Sequence, residues 1–413
     1  MNIQAKDYPK FRNKRNKCLS CSSSNLHTIL DLGLHSFADR FIKKKDLNKK
    51  DPSYPLQLDF CKKCTFIQSK FKTNPKDRYF NYDYSYTSSN SIYSINHWKK
   101  YADDLDINYD LRNKTIIEIG SNDGLLSFFI KKKGSNVIGI DASPFMVKIA
   151  NKKKLNSYCY IFNLQNSKKI KKISGLVDII IANNVFNHSD NPKNFLSGVK
   201  NLLKKNGKFI FEQPYFLETL ESKKFDQIYH EHISYFTMNN IRNLLLKMNL
   251  KVNKTSFNGY HGGSIRTVCS LNQTLREKKS EISKIKKERN KGIYKLNFYK
   301  KYSNFIIKNK NRINRSVKNF KMKKFKIVGI GAGAKTNTYL TYNELNYNKL
   351  DFITDTSKFK IGKYTPFTRI PIKNDKIIKK YKKIVCIILS WNISSILKKK
   401  LIKINKRIVF LKP

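Results

Sequence analysis

The string Thr115-Ile-Ile-Glu-Ile-Gly120, followed by Ser-Asn-Asp-Gly124 and an apolar stretch from Leu125, constrains the fold of this chain more than any other. A β-branched run, a glycine turn and a helix-like segment form the opening unit of a doubly wound sheet. The glycines let backbone approach a ligand closely, and the helix behind them offers free amides. A second strand, Val137-Ile-Gly-Ile, ends in Asp141, 21 residues past Gly120, where a carboxylate can accept both hydroxyls of a ribose. Val177–Asn184 continues the sheet, Pro192–Leu203 reads as helix, and Lys208–Glu212 is the next strand.

A dinucleotide fold uses the same devices, so spacing decides. The glycine turn has the form Glu-x-Gly-x-x-x-Gly, that of S-adenosylmethionine sites, and not Gly-x-Gly-x-x-Gly. Glu118, Gly120, Ser121, Asn122, Gly124, Asp141 and Asn183 are the candidate donor-binding residues.

Two CxxC pairs, Cys18/Cys21 and Cys61/Cys64, lie 39 residues apart. Four thiolates at this spacing suit one tetrahedral zinc ion, and a loop-rich module of this size lacks the core to fold without it. No open coordination position is evident, so the zinc is expected to be structural; redox dithiols are the alternative. Cys159, Cys269 and Cys386 stand singly among apolar neighbours and read as buried thiols.

Acid–base groups concentrate in Phe225-Asp-Gln-Ile-Tyr-His-Glu-His-Ile-Ser-Tyr-Phe236, downstream of Glu212-Gln-Pro-Tyr215 at the carboxyl end of a strand. Extended, this segment would put His230 and His232 on one face; helical, it would make Tyr229 and His232 neighbours. A second metal site and a purely structural hydrogen-bond cluster remain alternatives. His261-Gly-Gly-Ser264 permits a sharp turn exposing amides, and Arg266 can grip a phosphate with two bonds. Residues 272–322 are lysine-rich with apolar residues at irregular helical spacing, including Ile282, Ile293 and Ile307. Lys326-Ile-Val-Gly-Ile-Gly-Ala-Gly-Ala-Lys335 then opens a second nucleotide-type unit; its third glycine comes one residue early for a dinucleotide site, while Asp355 at the end of the next strand keeps that alternative open.

In this order the strings resemble the sugar C-methyltransferases over nearly the whole chain, from about Cys18 to Asn392. The resemblance implies an α/β architecture: a small zinc module at 1–80, a central class I methyltransferase sheet at 81–255, and linker helices with a degenerate Rossmann-like substrate domain at 256–413. It implies methyl transfer from S-adenosylmethionine to a carbon beside the keto group of a nucleotide-linked deoxysugar. His232 would be the base, with Tyr229 and Glu231 orienting it or carrying the proton, and His188 joining them. Tyr84, Tyr86, Ser88 and Ser89, from a Tyr-x-Ser-Ser-x-Ser-like segment, become substrate contacts with His261, Gly262, Gly263, Ser264, Arg266 and Lys335. The sequence departs from the family pattern at Ala142, usually proline, which implies only a locally different turn, and at Phe367, commonly glycine, which bears on the sugar or nucleotide preferred.

The formal net charge of +55 invites a nucleic-acid reading. Its excess is mostly lysine, rising with asparagine and isoleucine as compositional drift would produce, and no basic block with interleaved aromatics stands near the glycine turn. A nucleic-acid partner is therefore not expected; a weak membrane-surface contact by the basic segment remains open. No run is long and apolar enough to span a bilayer and the first residues lack a signal-like stretch, so a cytoplasmic enzyme is expected. The rivals are an O- or N-methyltransferase of another small molecule and, more remotely, an RNA-modifying or RNA-binding protein.

Overall fold

The computed structural model describes residue 8 and residues 10–80, 87–89, 91–271 and 279–412. Its centre is a seven-stranded sheet whose spatial order is Leu250–Asn258, Ser264–Leu271, Leu203–Pro214, Val177–Asn183, Thr115–Ile119, Asn136–Asp141 and Asn156–Cys159. The last five are parallel; the first two pack as an antiparallel hairpin along Leu203–Pro214. Ile116, Ile117 and Ile119 are buried, as expected of a parallel strand covered on both faces. Strand order reverses at Thr115–Ile119, so a crevice opens beyond its carboxyl end, at the glycine turn.

Asn156–Cys159 was not signalled by the sequence. It is a short edge strand with only Ser157 buried, so it carries no apolar pattern. Its last residue corrects the expectation for the single cysteines: Cys159 is exposed, whereas Cys269 and Cys386 are buried.

The amino-terminal module is an antiparallel sheet of Leu26–His35, Tyr54–Cys61 and Ile67–Ser69, joined by a fourth strand, Ser234–Tyr235, from far along the chain. Ile67 pairs with Tyr235 and Gln68 with Ser234, and the Ser69 amide donates to the Ile233 carbonyl at 2.8 Å. The carboxy-terminal domain is a parallel five-stranded sheet ordered Ile372–Asn374, Phe352–Asp355, Lys326–Ile330, Ile384–Ile388 and Ile408–Leu411. It too reverses order beside its glycine turn.

The linker forms two helices, Lys279–Asn290 and Leu296–Met322. The second buries a stripe of Tyr299, Tyr302, Ile306, Ile313 and Val317, while Ile282 and Ile307 stay about half exposed. Glu288, fully buried, fixes the first helix to the centre. It accepts from the Tyr215 and Tyr294 hydroxyls and from the amides of Met238 and Asn239, capping the helix Met238–Lys247 with a negative charge.

A second clamp joins the zinc module to the central domain. Asp190 receives both Arg15 and Arg78, whose side chains are only 2% and 1% exposed. Removing the partner of a buried charge costs far more than the pair contributes. Asp190→Ala is accordingly expected to lower stability by about 3 kcal/mol, read as a shifted denaturation midpoint with unchanged slope.

Candidate active site

The four cysteine sulfurs lie within 4.8 Å of one another. Both CxxC turns are built alike. The amides of Ser22 and Thr65 donate to the carbonyls of Cys18 and Cys61, and both residues sit at a φ of 61°. Two such turns facing each other make the thiolate tetrahedron that zinc takes.

All three parts of the chain line one cavity of about 600 Å³, within the range of small-molecule sites. Glu118, Gly120, Asn122, Asp141 and Asn183 line it at the carboxyl ends of the central strands. Gly120 and Gly124 have φ of 73° and 79°, and a Cβ on Gly124 would lie 2.3 Å from Leu155, so both positions need glycine. Asp141 accepts from the amides of Asn122 and Ser143, each at 2.8 Å, which fixes its carboxylate at the strand end. Burial pushes the Glu118 carboxyl up to about 8, against the hydrogen bond that Ser127 donates to it. Ser121 does not line the cavity; it packs against Gly139, where a Cβ would lie 2.7 Å from its hydroxyl. Sequence reasoning did not single out Tyr160–Asn163, which also line this end; they follow the edge strand it did not find.

The Tyr229–His232 segment is neither extended nor helical. It turns, with the His232 amide donating to the Tyr229 carbonyl at 2.9 Å. The turn brings the Tyr229 and His232 rings to 4.0 Å between centroids and sends His230 away, against Phe37 and Tyr54 of the zinc module. Tyr229, Glu231, His232 and His188 line the cavity; His230 does not.

His232 Nδ1 lies 2.7 Å from the Gln227 carbonyl oxygen. A carbonyl only accepts, so Nδ1 carries the proton and Nε2 is the basic nitrogen. Burial, with Lys335 nearby, lowers His232 to about 3, so the ring is neutral. His188 stands 5.1 Å from it between ring centroids and 3.4 Å from the Tyr79 hydroxyl through Nδ1; burial, His232 and Arg78 hold it well below its ordinary value. Glu231 is 1% exposed, and neither carboxylate oxygen has a hydrogen-bond partner among the described residues. Burial, then Asp39, raises its carboxyl to about 7, with Arg78 opposing. Asp39, Arg78 and Tyr79 line the cavity from the zinc module and its junction; no motif marked them.

The substrate candidates divide. Tyr84 and Tyr86 lie outside the described residues. Ser88 lines the cavity and its amide donates to Asn122 at 2.9 Å, while Ser89 bonds Asp123. His261 and Lys335 line the cavity; Gly262, Gly263, Ser264 and Arg266 do not. The His-Gly-Gly turn exposes a carbonyl where amides had been expected. The Gly262 and Gly263 amides bond back to Gly259 and Tyr260, and the His261 carbonyl receives Lys335 Nζ at 2.7 Å and Gln227 Nε2 at 3.2 Å. Arg266, read as a phosphate ligand, is instead paired with buried Glu212 at 2.9 Å and stacked on Tyr101 at 3.6 Å. His97 and Asn258 hold the same carboxylate. A lone arginine in a sequence does not reveal a buried acid 54 residues away that claims it.

Phe367 adopts a φ of 63°, which accounts for a residue commonly glycine there. Its loop is held by Asp51 and by Arg369 contacts to Leu47 and Lys49, and Phe367 lies outside the 600 Å³ cavity. The altered loop therefore touches the zinc module and not the site.

Three family models match in sequence: a putative zinc binding domain over residues 18–79, a methyltransferase domain over 92–255, and the C-methyltransferase C-terminal domain over 259–410. Together the three span residues 18–410, and the carboxy-terminal one is that of C-methyltransferases. This chain is 25% identical to the C-methyltransferase NovU of Streptomyces niveus over 91% of its own length and 90% of that protein. Over 76 residues it is 36% identical to a putative protein N5-glutamine methyltransferase of Methanocaldococcus jannaschii, covering 18% of this chain and 38% of that one. Among solved structures, a Pyrococcus horikoshii protein aligns with 46% of this chain and 95% of its own at 19% identity and a TM-score of 0.38. Magnesium protoporphyrin IX methyltransferase of Synechocystis aligns with 43% and 79% at 15% identity and a TM-score of 0.34.

The chain carries an S-adenosylmethionine-binding methyltransferase domain and a zinc-binding module. No described helix is long and apolar enough to cross a membrane. Metal analysis of the purified enzyme is expected to return one zinc per chain, and Cys61→Ser to lose it together with the cooperative unfolding of the amino-terminal module.

Proposed function

We propose that this protein methylates a carbon next to the keto group of a nucleotide-linked deoxysugar. The observation that carries the reading is the His232–Gln227 hydrogen bond, which leaves an unprotonated Nε2 on a ring lining the cavity. Attack on an oxygen or nitrogen acceptor needs little help from a base. A carbon acceptor must first lose a proton from beside a carbonyl, and that requires a neutral base held in position.

S-adenosylmethionine supplies an electrophilic methyl group, so the donor half of the reaction needs alignment more than assistance. Glu118, Gly120, Asn122, Asp141 and Asn183 would hold the donor, with Asp141 on its ribose and Gly124, outside the cavity lining, shaping the turn. His232 takes the proton at Nε2. The imidazolium that results is stabilised through Nδ1–H by the Gln227 carbonyl. Tyr229 packs against the ring at a tilt of 34°, and Glu231, whose buried carboxyl is raised to about 7, provides a place for the proton to go. His188 and the protonated Lys335 are the groups at hand to stabilise the enolate oxygen. Ser88 and His261 complete the acceptor side. NovU, described as a C-methyltransferase, supports the carbon acceptor; the sugar rests on motif resemblance alone.

Two measurements test this. In thermal-shift experiments S-adenosylmethionine should stabilise the protein, and a nucleoside diphosphate should add to that, whereas inorganic phosphate should not. Donor binding with indifference to every nucleotide would favour another small-molecule acceptor. His232→Asn should abolish both turnover and solvent-deuterium exchange at the acceptor carbon, by at least 10²-fold; an O- or N-methyltransferase would show no such exchange in the wild type.

The pH profile follows from the lowered histidines. A base works only when unprotonated, and lowering its pKa extends that condition to more acidic pH. The acidic limb of kcat is therefore expected below pH 6, under the ordinary imidazole value of about 6.5. A limb at or above that value would exclude a buried imidazole as the base.

A further inference from the structure

Trp391 begins a short turn, Trp391–Ile393, after the strand Ile384–Ile388 of the carboxy-terminal domain. Its neighbours Ser390 and Asn392 line the cavity. The indole reaches across to the central domain, where Nε1 donates to Asp226 Oδ2 at 2.7 Å. Asp226 is 2% exposed, and its other oxygen has no hydrogen-bond partner among the described residues. The six-membered part of the indole also packs closely on the glycine turn: a Cβ on Gly262 would fall 2.2 Å from it. The ammonium groups of Lys335 and Lys224 stand 5.1 and 5.8 Å from its centroid.

The residue after Asp226 is Gln227, whose carbonyl holds the His232 Nδ1 proton and whose side chain donates to the His261 carbonyl. A continuous path therefore runs from the substrate-side turn of one domain, through a buried carboxylate, to the peptide that fixes the imidazole of another. We propose that Asp226 and Trp391 are a positioning pair, by which the carboxy-terminal domain sets the orientation and tautomer of His232. The consequence for catalysis rests on His232 being the base; the effect on the imidazole does not.

Without the indole N–H, a buried carboxylate is left with neither oxygen satisfied, a costly state. It must then take a proton or swing toward Lys335. Either response displaces the Gln227 carbonyl, and the imidazole loses the partner that selects its tautomer. A ligand drawing on Ser390 or Asn392 would act on the same lever in the opposite sense, tightening the base when the acceptor is bound.

The test uses the zinc-loaded full chain with ¹⁵N-labelled histidine; the seven histidines make assignment of His232 by substitution practical. In the wild type His232 should give the signature of a single Nδ1-protonated tautomer. Trp391→Phe keeps the ring but not its donor, and Asp226→Ala removes the acceptor; each should give mixed tautomers. Asp226→Asn keeps an acceptor oxygen and should retain the wild-type signal. With turnover, Trp391→Phe should lower kcat by on the order of 10-fold to 10²-fold while donor binding is unchanged. Zinc content and thermal unfolding identify a variant that fails to fold, in which case the other carries the test. A single Nδ1 tautomer in both folded variants overturns the proposal. Mixed tautomers alongside a His232→Asn enzyme that still turns over would support the positioning pair and defeat the assignment of the base.

Discussion

The backbone pairing of Ile67–Ser69 with Ile233–Tyr235 is the constraint on which the site depends. The zinc module cannot close its sheet without the strand that follows the Tyr-His-Glu-His turn. That turn, in turn, has no fixed place unless the module's edge receives it. Its neighbours then follow: His230 drops among Phe37 and Tyr54, while Tyr229 and His232 are left facing the cavity. A zinc ion on the four cysteines would be far from a reagent in this arrangement, yet it would rigidify the edge that turns His232 toward the cavity. Asp190, gripped by Arg15 and Arg78 two residues beyond His188, adds a second tie between the module and the same side of the cavity, where the His188 ring stands 5.1 Å from that of His232.

Much of this was legible in the sequence because it rests on local rules. The strand–glycine–helix unit, the spacing of the cysteine pairs and the second glycine turn each declare themselves within a dozen residues or by a simple repeat. The conformation of Tyr229–His232 was not legible, since the partner that decides it is a strand of another module. Arg266 was misjudged for the same reason: its buried acid, Glu212, lies on a different strand. Asn156–Cys159 escaped because a strand with one buried residue has no period to detect. Asp39, Arg78 and Tyr79 enter the cavity only through tertiary folding.

The positive charge admits a plain physical account. The basic helix Leu296–Met322 buries one apolar stripe on the domain core, and its lysines occupy the solvent face that any such helix must present. Inside the cavity the balance differs. Glu118, Asp141, Glu231, three neutral histidines and Lys335 make a site governed by desolvation, in which modest changes of position alter protonation.

The long-range strand pairing also imposes a schedule on synthesis. A ribosome releases the four cysteines and three strands of the zinc module well before Ser234 and Tyr235 exist. At roughly 5–20 residues per second the interval is on the order of ten seconds. During it the strand Ile67–Ser69 is an open edge with unpaired amides, a template for the wrong neighbour. Binding of metal to the nascent module would hold that edge in register until its proper partner emerges. Cells short of zinc should therefore lose this enzyme chiefly as aggregate formed during translation, and much less by the stripping of metal from finished molecules.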